Sequence, residues 1–324
     1  MTSSPDQDRE PALIGVDWGT SSCRAYLMDA AGEILDAVGA EKGIMQVEGG
    51  AFAATLEQLI GPWRRPGLPV ILSGMIGSRQ GWIEAPYLSV PASFDQIAAD
   101  LLCHPDDADI HIVPGLAQDP PGRAPDVMRG EETQIIGAVG ETSGRRLLVM
   151  PGTHSKWVLT EAREVVWFAT FMTGELFAAL KDHTILGRQM NEDGGEQAEA
   201  FERGLTAAGS LPGGLLQHLF STRTLGLFDR LPAESAAPYL SGLLIGHEID
   251  EALGNLEGSP DDLPPITVIG ASALATRYLT ALHHAGLEAA AAGKDMAAQG
   301  HCQLVRAAGL LAASKRSSAG RSST

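Results

Sequence analysis

Short apolar runs separated by polar, glycine-containing turns open the chain, and the same arrangement returns near its middle. In each place three short runs follow one another closely, a pattern that predicts a three-stranded antiparallel meander. The two sets lie too far apart for a solenoid repeat, so we expect two similar domains that begin in the same way. The predicted strands are 13–17, 23–28 and 33–38 in the first set, and 147–150, 156–160 and 165–169 in the second.

Apolar residues elsewhere recur every three or four positions, which predicts helices that alternate with further strands, as in the α/β class. We expect one domain over 11–140 and another over 141–302, with a last helix, 303–313, packing back onto the first domain. The polar ends, 1–10 and 314–324, have little to bury and are expected to be disordered. The helices are predicted at 52–60, 94–102, from 131, at 173–183, 215–220, 239–253 and 273–285, and the other strands at 69–72, 111–114 and 266–269.

Composition and charge narrow the range of partners. The 324 residues include 23 Lys and Arg against 40 Asp and Glu, a formal net charge of −17, which argues against nucleic acid and anionic membranes as partners. Three cysteines without a CxxC pair argue against a zinc knuckle or a disulfide framework. The sequence shows neither a signal peptide nor the ~18-residue apolar run of a membrane span. We expect a cytoplasmic protein, and a homodimer is compatible with this interpretation.

The turn after the first strand has the residue types of a phosphate-binding loop. Gly19 lets the backbone approach a ligand, and the hydroxyls of Thr20 and Ser21 can donate to phosphate oxygens together with the turn amides. Asp17 can hold Mg²⁺ through water, and Arg24 can help to neutralise a transferring group. An ordinary hairpin turn is the alternative interpretation of this segment.

A second turn of the same chemical type lies in the equivalent place of the second meander. It contains Gly152, Thr153, His154 and Ser155. One such turn is weak evidence, whereas two of them in equivalent places can bind one polyphosphate together. The sequence contains neither the GxxxxGK[ST] nor the GxGxxG phosphate motif.

Two further segments have candidate chemistry. Glu131 and Glu132 follow Gly130 in the first turn of a predicted helix, where the macrodipole favours acids. Either carboxylate could serve as a general base that removes a proton from an attacking hydroxyl. Gly270 and Ala271 form a turn between a strand and a helix, where a flat base could lie against the backbone.

The segments together identify a family resemblance. The two glycine–threonine turns and the Gly270-Ala271 turn resemble the phosphate and adenosine motifs of the actin-like ATPase and sugar-kinase superfamily. The chain more closely resembles the 2-dehydro-3-deoxygalactonokinase family, and the resemblance extends over roughly residues 12 to 315. The segments that carry it are 17–24, 73–82 (SGMIGSRQGW), 128–134 (MRGEETQ), 151–157 (PGTHSKW) and 171–177 (FMTGELF).

This resemblance implies a fold and an activity. The fold would be two ribonuclease-H-like α/β domains flanking a cleft that holds ATP and Mg²⁺. The activity would be ATP-dependent phosphorylation of the 6-hydroxyl of 2-dehydro-3-deoxy-D-galactonate in galactonate breakdown. Sugar kinases of this superfamily place a catalytic acid where Glu131 and Glu132 lie, and the choice between the two stays open.

The implied substrate is itself an anion, so its pocket needs a cation. Arg79 lies in a loop rich in Gly and Ser, where its guanidinium could bind the carboxylate in a bidentate manner. Ser78 and Trp82 are further substrate-binding candidates in the same loop. A kinase for another sugar or sugar acid, a nucleotide sensor without turnover, and a nucleotide or polyphosphate hydrolase remain as alternatives.

Overall fold

A computed structural model describes residues 10–191, 198–256, 262–270 and 272–311. The predicted disorder at 1–9 and at 314–324 lies outside the described residues, as does Ala271. All statements below concern the described part of the chain.

The strands and helices alternate along most of the chain. The strands are β1 (Pro11–Trp18), β2 (Cys23–Asp29), β3 (Ile34–Ala40), β4 (Val70–Ser73), β5 (Tyr87–Ser89), β6 (Ala92–Ser93), β7 (Leu102–His104), β8 (Asp107–Ile112), β9 (Gly115–Gln118), β10 (Asp126–Met128), β11 (Arg146–Met150), β12 (Ser155–Glu161), β13 (Glu164–Phe171), β14 (Ile266–Val268) and β15 (Ala289–Ala291). The α-helices are α1 (Phe52–Ile60), α2 (Phe94–Ala99), α3 (Glu131–Val139), α4 (Thr173–His183), α5 (Ala198–Ser210), α6 (Leu215–Leu227), α7 (Ala233–Asn255), α8 (Ser272–His284) and α9 (Met296–Ala307). Short 3₁₀ turns lie at Ile44–Gln46, Glu48–Gly50, Gly61–Trp63, Met75–Gly77 and Gly187–Gln189.

The chain divides into two compact units. Within the described residues the first unit comprises 10–117, 127–140 and 295–311, and the second comprises the remainder. Two boundaries therefore differ from those expected from the sequence, because 118–126 belongs to the second unit and the chain after Lys294 belongs to the first.

Both units are built on the same strand order. In the first unit the main sheet has the order β3-β2-β1-β4-β8-β7, and in the second unit five strands follow the order β13-β12-β11-β14-β15. The first three strands of each unit pair antiparallel and the next two pair parallel to them. This order is that of the ribonuclease-H-like α/β fold, so the predicted fold class is confirmed.

Each unit has its own hydrophobic core, because the central strands are apolar on both faces. In the first unit the core contains Trp18, Leu72 and Ile112. In the second unit it contains Trp157 and Tyr278. The central strands are therefore fixed, and the polar residues that follow them are held at the sheet edges.

The last helix packs against α3 through two glycines. A Cβ on Gly137 would lie 2.0 Å from the Met296 carbonyl oxygen, and a Cβ on Gly300 would lie 1.8 Å from the Thr133 carbonyl oxygen. The backbones of α3 and α9 therefore meet directly, and α9 fixes the helix that begins with the two candidate acids. The prediction of a helix over 303–313 was wrong in its bounds, because Gly300 lies inside the helix and serves this contact.

The longest helix, α7, passes through the second unit with a buried acid in its sequence. Glu248 accepts hydrogen bonds from Trp157 Nε1 at 2.9 Å and from the Tyr278 hydroxyl at 2.6 Å. Burial raises the pKa of Glu248.

Among the described residues, no helix has the length and apolarity needed to cross a bilayer.

Candidate active site

The carboxyl ends of two parallel strands bring Asp17 together with the loop after β4. Asp17 pairs with Ser73 in the register of β1 and β4. The chain then turns at Gly74, which has φ = +91° and whose missing Cβ would lie 2.7 Å from the Trp18 carbonyl oxygen. Only glycine meets both requirements. Since a Cβ on Gly130 would lie 3.1 Å from Gly74 Cα, the start of α3 also lies at this point.

The turn between β1 and β2 is tight and held from behind. The Gly19 N–H donates to the Ser22 carbonyl oxygen at 2.9 Å, and the Ile44 N–H donates to the Gly19 carbonyl oxygen at 3.0 Å. These contacts leave Thr20 and Ser21 exposed. The turn can therefore present its hydroxyls to a ligand without losing internal structure.

A cleft of about 350 Å³ opens beside this turn, with Asp17, Gly19 and Arg24 among its lining residues. Arg24 is exposed and lies opposite Asp17 in the ladder of β1 and β2. A hydrogen bond to Tyr26 raises the pKa of the Arg24 guanidinium, so this side chain stays cationic. The structure thus brings together three of the residues predicted for the first phosphate motif and its metal site, Asp17, Gly19 and Arg24, at one cleft.

The electrostatics of this corner fit a hydrated divalent cation. Burial, reinforced by the negative charge of Glu131 and opposed by Arg24, raises the pKa of Asp17 to about 6. Two carboxylates that repel each other at a cleft suit Mg²⁺, which keeps several waters and is often held by one or two carboxylates. Within the described residues no cluster of three or more Asp, Glu, His or Cys side chains could hold a metal ion.

The two candidate bases have different surroundings. Glu132 is fully buried, and its carboxylate accepts a hydrogen bond from the Gly130 N–H at 2.7 Å and another from the Thr133 hydroxyl at 3.3 Å. Burial, with the charge of Glu131, raises the pKa of Glu132 to about 8. Glu131 is partly exposed and accepts a hydrogen bond from the Arg129 N–H at 3.1 Å. Of these two acids, Glu131 is the one that can meet an acceptor hydroxyl.

In the second unit, helix α4 begins directly against the Gly152–Thr153 turn. A Cβ on Gly174 would lie 2.3 Å from the Gly152 carbonyl oxygen, and the Glu175 N–H donates to the Thr153 carbonyl oxygen at 2.9 Å. Thr153 and His154 are exposed, and the His154 ring contacts the Glu175 carboxylate at 2.5 Å. The turn is thus braced from behind in the same manner as the first one.

Ser155 does not belong to the exposed side of this turn. Its Oγ lies 2.8 Å from the Tyr278 hydroxyl and is fully buried. The reason is that Ser155 already begins β12, which pairs with β11 on one side and β13 on the other. The expectation that its hydroxyl contacts phosphate is corrected by this geometry, which assigns Ser155 to the polar network around Glu248.

The predicted adenosine turn lies next to the second phosphate turn. β11 and β14 are parallel neighbours, and the Ile269 N–H donates to the Val149 carbonyl oxygen at 2.8 Å. A Cβ on Gly270 would be 3.6 Å from the Pro151 carbonyl oxygen. Ligands of α/β proteins characteristically bind outside the carboxyl ends of such strands. Ala271 lies outside the described residues.

The three candidate residues in the loop after β4 have separate surroundings and do not share a pocket. Arg79 has 83% of its side chain exposed and pairs with Glu84 at 3.4 Å, while the Ser78 hydroxyl donates to the Met75 carbonyl oxygen at 2.7 Å. Trp82 packs against the core of the first unit and lines another cleft, of about 510 Å³. Nothing in this geometry aims the three side chains at one ligand.

Comparison with known proteins identifies the family. The family model for 2-keto-3-deoxy-galactonokinase matches residues 17–304. This chain belongs to the 2-keto-3-deoxy-galactonokinase family. A 2-dehydro-3-deoxygalactonokinase of Escherichia coli is 36% identical over 286 residues, covering 88% of this chain and 94% of that relative. The family resemblance seen in the sequence is thereby confirmed.

A solved structure agrees with this 2-keto-3-deoxy-galactonokinase assignment. A crystal structure from Sinorhizobium meliloti, provisionally named a 2-dehydro-3-deoxygalactonokinase, has a TM-score of 0.83 and 40% identity, covering 91% of this chain and 98% of that one. Component A of (R)-2-hydroxyglutaryl-CoA dehydratase from Acidaminococcus fermentans has a TM-score of 0.51 at 9% identity, covering 92% of this chain and 100% of that one. The second likeness concerns the fold alone.

Sequence reasoning on this family member did not single out two residues that contact predicted site residues. Glu175 contacts His154 from α4, yet helical periodicity alone presents it as a surface acid. Arg129 precedes the candidate bases and is buried. The sequence did hold a signal for Arg129. This residue lies inside the segment 128–134, between the apolar end of a strand and a glycine, and a solvent-exposed cation has no evident use at that position.

Proposed function

We propose that this kinase transfers the γ-phosphoryl group of ATP to the 6-hydroxyl of 2-dehydro-3-deoxy-D-galactonate. The observation that carries the proposal is the match to 2-dehydro-3-deoxygalactonokinase over nearly the whole chain. The product would be the 6-phosphate, as expected of a step in galactonate breakdown. The geometry of the first unit supports it, because an acid, a hydrated-cation corner and a phosphate turn lie together there.

Each unit offers a backbone turn of the phosphate-binding type. The first turn offers Thr20 and Ser21, and the second offers Gly152 and Thr153. Gly270 provides the flat surface for adenosine. These turns are rigid before the ligand arrives, since each is hydrogen-bonded from behind, and a preformed donor set loses little conformational freedom on binding.

Asp17 would hold Mg²⁺, and the bound ion would neutralise charge on the phosphoryl oxygens of ATP. Arg24 lines the same cleft and adds a second positive charge there. Catalysis of this kind depends on positioning and electrostatics, because the protein forms no covalent bond to the phosphoryl group.

Glu131 acts as the general base. It accepts the proton of the 6-hydroxyl while the O6–Pγ bond forms and the bond from Pγ to the bridging oxygen breaks, and ADP leaves. The hydrogen bond from the Arg129 N–H to Glu131 fixes the carboxylate before the acceptor binds. Glu132 holds the start of α3 and does not meet the substrate.

A coupled ADP-release assay across sugar acids tests the proposal. We expect acceptor-dependent ADP release with 2-dehydro-3-deoxygalactonate and a weaker rate with 2-dehydro-3-deoxygluconate, which differs in stereochemistry. A faster rate with 2-dehydro-3-deoxygluconate would show that this acid, and not 2-dehydro-3-deoxygalactonate, is the preferred substrate. ADP release without any acceptor would indicate a hydrolase, and tight ATP binding without ADP release would indicate a sensor; either result rejects the proposal.

A further inference from the structure

Arg129 is a buried cation that lacks partners for two of its nitrogens. Only 8% of the residue is exposed. Its Nη2 donates to the Ala85 carbonyl oxygen at 2.7 Å, whereas Nε and Nη1 are buried without a hydrogen-bond partner among the described residues. None of the ion pairs found in the described part of the chain involves this side chain.

Burying a guanidinium with incomplete hydrogen bonding costs free energy of folding. Guanidinium stays charged at any pH a protein experiences, so Arg129 cannot escape the penalty of burial by losing a proton. The Tyr87 ring lies 4.3 Å from the guanidinium carbon and offsets part of the penalty through a cation–π contact. A buried charge normally has an oppositely charged, hydrogen-bonded partner as well. The charge of Arg129 acts on the buried Glu132 and opposes the rise that burial causes in the pKa of that carboxyl, but Nε and Nη1 have no hydrogen-bond partner among the described residues. These two nitrogens are therefore available to an anion.

One end of the guanidinium packs closely against a glycine. A Cβ on Gly77 would lie 3.0 Å from Arg129 Nη1 and 2.9 Å from Ile112 Cγ2. Any other residue at position 77 would therefore crowd this end of the guanidinium. Tyr87 covers one face of the guanidinium and is itself 42% exposed.

The position next to the base selects the kind of anion. The Arg129 N–H holds Glu131, so the residue contacts the base at its backbone and presents the unpaired guanidinium at its other end. From Cα to Cζ its side chain spans six atoms, the same number as the carbon chain of a hexonic acid. A hexonic acid likewise has a hydroxyl at one end and a carboxylate at the other, which matches a base and a guanidinium on neighbouring residues. A carboxylate matches the planar donor fork of arginine.

We propose that Arg129, and not Arg79, binds the carboxylate of the acceptor, with Tyr87 moving aside to admit it. This inference rests on the proposed function, because it assumes an acceptor with a carboxylate at one end and the reacting hydroxyl at the other. Arg79 is solvent-exposed and pairs with Glu84 at 3.4 Å, so water would screen a contact between this guanidinium and a carboxylate.

The test compares two acceptors in several variants. The acceptors are the keto-deoxy sugar acid and its C1 carboxamide, which keeps the size but loses the charge. The variants are Arg129→Met, Arg129→Lys and Arg79→Met, with Arg65→Met as the matched control on an exposed arginine. Initial rates give KM and kcat for each acceptor, and a titration of ATP gives KM for the nucleotide.

We expect Arg129→Met to raise KM for the acid roughly 10- to 1,000-fold, the range for losing hydrogen bonds to a charged group, with KM for ATP nearly unchanged. The wild type should prefer the acid to the carboxamide, and the variant should lose that preference. Arg129→Lys should raise KM for the acid by a smaller factor, because lysine keeps the charge without the fork. Arg65→Met should match the wild type.

Three results would overturn the inference. Equal losses on the acid and the carboxamide would assign Arg129 a purely structural role. A loss of acid preference in Arg79→Met but not in Arg129→Met or Arg129→Lys would return the contact to Arg79. If Arg129→Met does not fold, the preference measured in Arg129→Lys decides, and an unchanged preference there counts against the proposal. Failure of the proposed function looks different, because the wild type itself would then show no acid-dependent ADP release.

Discussion

Adjacent acids at the start of α3 are chemically alike in sequence but have different surroundings. Glu131 is partly exposed beside Asp17, whereas Glu132 is buried with its oxygens bonded to the protein. We predict that Glu131→Gln lowers kcat by roughly 10²–10⁴, the contribution of a general base, and leaves KM for ATP nearly unchanged. Steady-state kinetics measure both. Exposed Glu202→Gln is the control, and full activity in Glu131→Gln would remove this residue from the role.

We expect Glu132 to affect the pH dependence of the free energy of unfolding. Burial raises its pKa to about 8 in the fold, above the ordinary value of roughly 4.3 in the unfolded chain. Because the folded pKa is the higher one, the stabilisation is complete below about pH 4 and is lost as pH rises to about 8. At about 1.4 kcal/mol per pKa unit, this lowers the free energy of unfolding by something of the order of 3–5 kcal/mol.

We therefore predict that Glu132→Gln, which cannot ionise, loses less stability than the wild type between pH 6 and pH 9. Denaturant unfolding at the two pH values gives the comparison, with Glu202→Gln as the control for an exposed acid. Equal pH dependence in wild type and Glu132→Gln would show that Glu132 is not the titrating group.

Asp17 offers a direct check on the carboxylate pair. Its pKa is raised to about 6 by burial and by the charge of Glu131. Replacing Glu131 with Gln removes the repulsion but not the burial, so the pKa of Asp17 should fall part of the way towards its ordinary value. Carbon-13 NMR of the aspartate side chains across a pH titration measures it without metal or nucleotide. If the pKa of Asp17 is the same in Glu131→Gln as in the wild type, the charge of Glu131 does not act on Asp17.

At this scale the sequence could nominate residues but not choose among them. Ser155 and Thr153 are both hydroxyl residues of one turn, yet only Ser155 begins a strand paired on both sides and is thereby buried. Arg129 and Arg79 are likewise both arginines of motif segments. They differ in burial, and burial depends on tertiary packing that local pattern does not contain.

The contact between α3 and α9 depends on glycines at the helix crossing. We predict that Gly300→Ala destabilises the fold by about 1–3 kcal/mol, because its Cβ would meet the Thr133 carbonyl oxygen at 1.8 Å and the backbones must separate. Activity should fall more steeply than stability predicts, since α3 carries Glu131. Chemical denaturation and kinetics test the two claims.

Gly254→Ala is the matched control for this substitution. It too is a glycine in an α-helix, but it is exposed and nothing lies within 4 Å of its added Cβ. We expect it to be neutral or to stabilise the fold by up to about 1 kcal/mol, through helix propensity. Similar destabilisation of both variants would contradict the assigned contact.

Element prediction succeeded where the pattern is local. Both meanders follow from short apolar runs and glycine turns, and the strands β1, β2 and β3 lie within a few residues of the predicted 13–17, 23–28 and 33–38. The helix α9 was placed seven residues late at its start, because Gly300 weakens the helical pattern at the point where close packing requires it. Tertiary contact thus explains what periodicity could not.

On the scale of the whole molecule, one strand order is used twice and each unit contributes a braced turn at the carboxyl ends of its parallel strands. The sequence predicted this duplication from the two meanders alone. The remaining whole-molecule property is charge, since a formal net charge of −17 surrounds a site proposed to bind two anions.

That charge leads to the last prediction. Bringing ATP and a sugar acid to an anionic body costs electrostatic work, which salt screens as the Debye length falls from about 30 Å at 0.01 M to about 8 Å at 0.15 M. We predict that kcat/KM for the acid rises about two- to tenfold over this range at fixed free Mg²⁺, with kcat little changed. Direct contacts such as that proposed for Arg129 are buried and therefore screened much less. The neutral carboxamide should show a flatter response, and a fall of kcat/KM with salt would mean that local cations, not net charge, govern substrate approach.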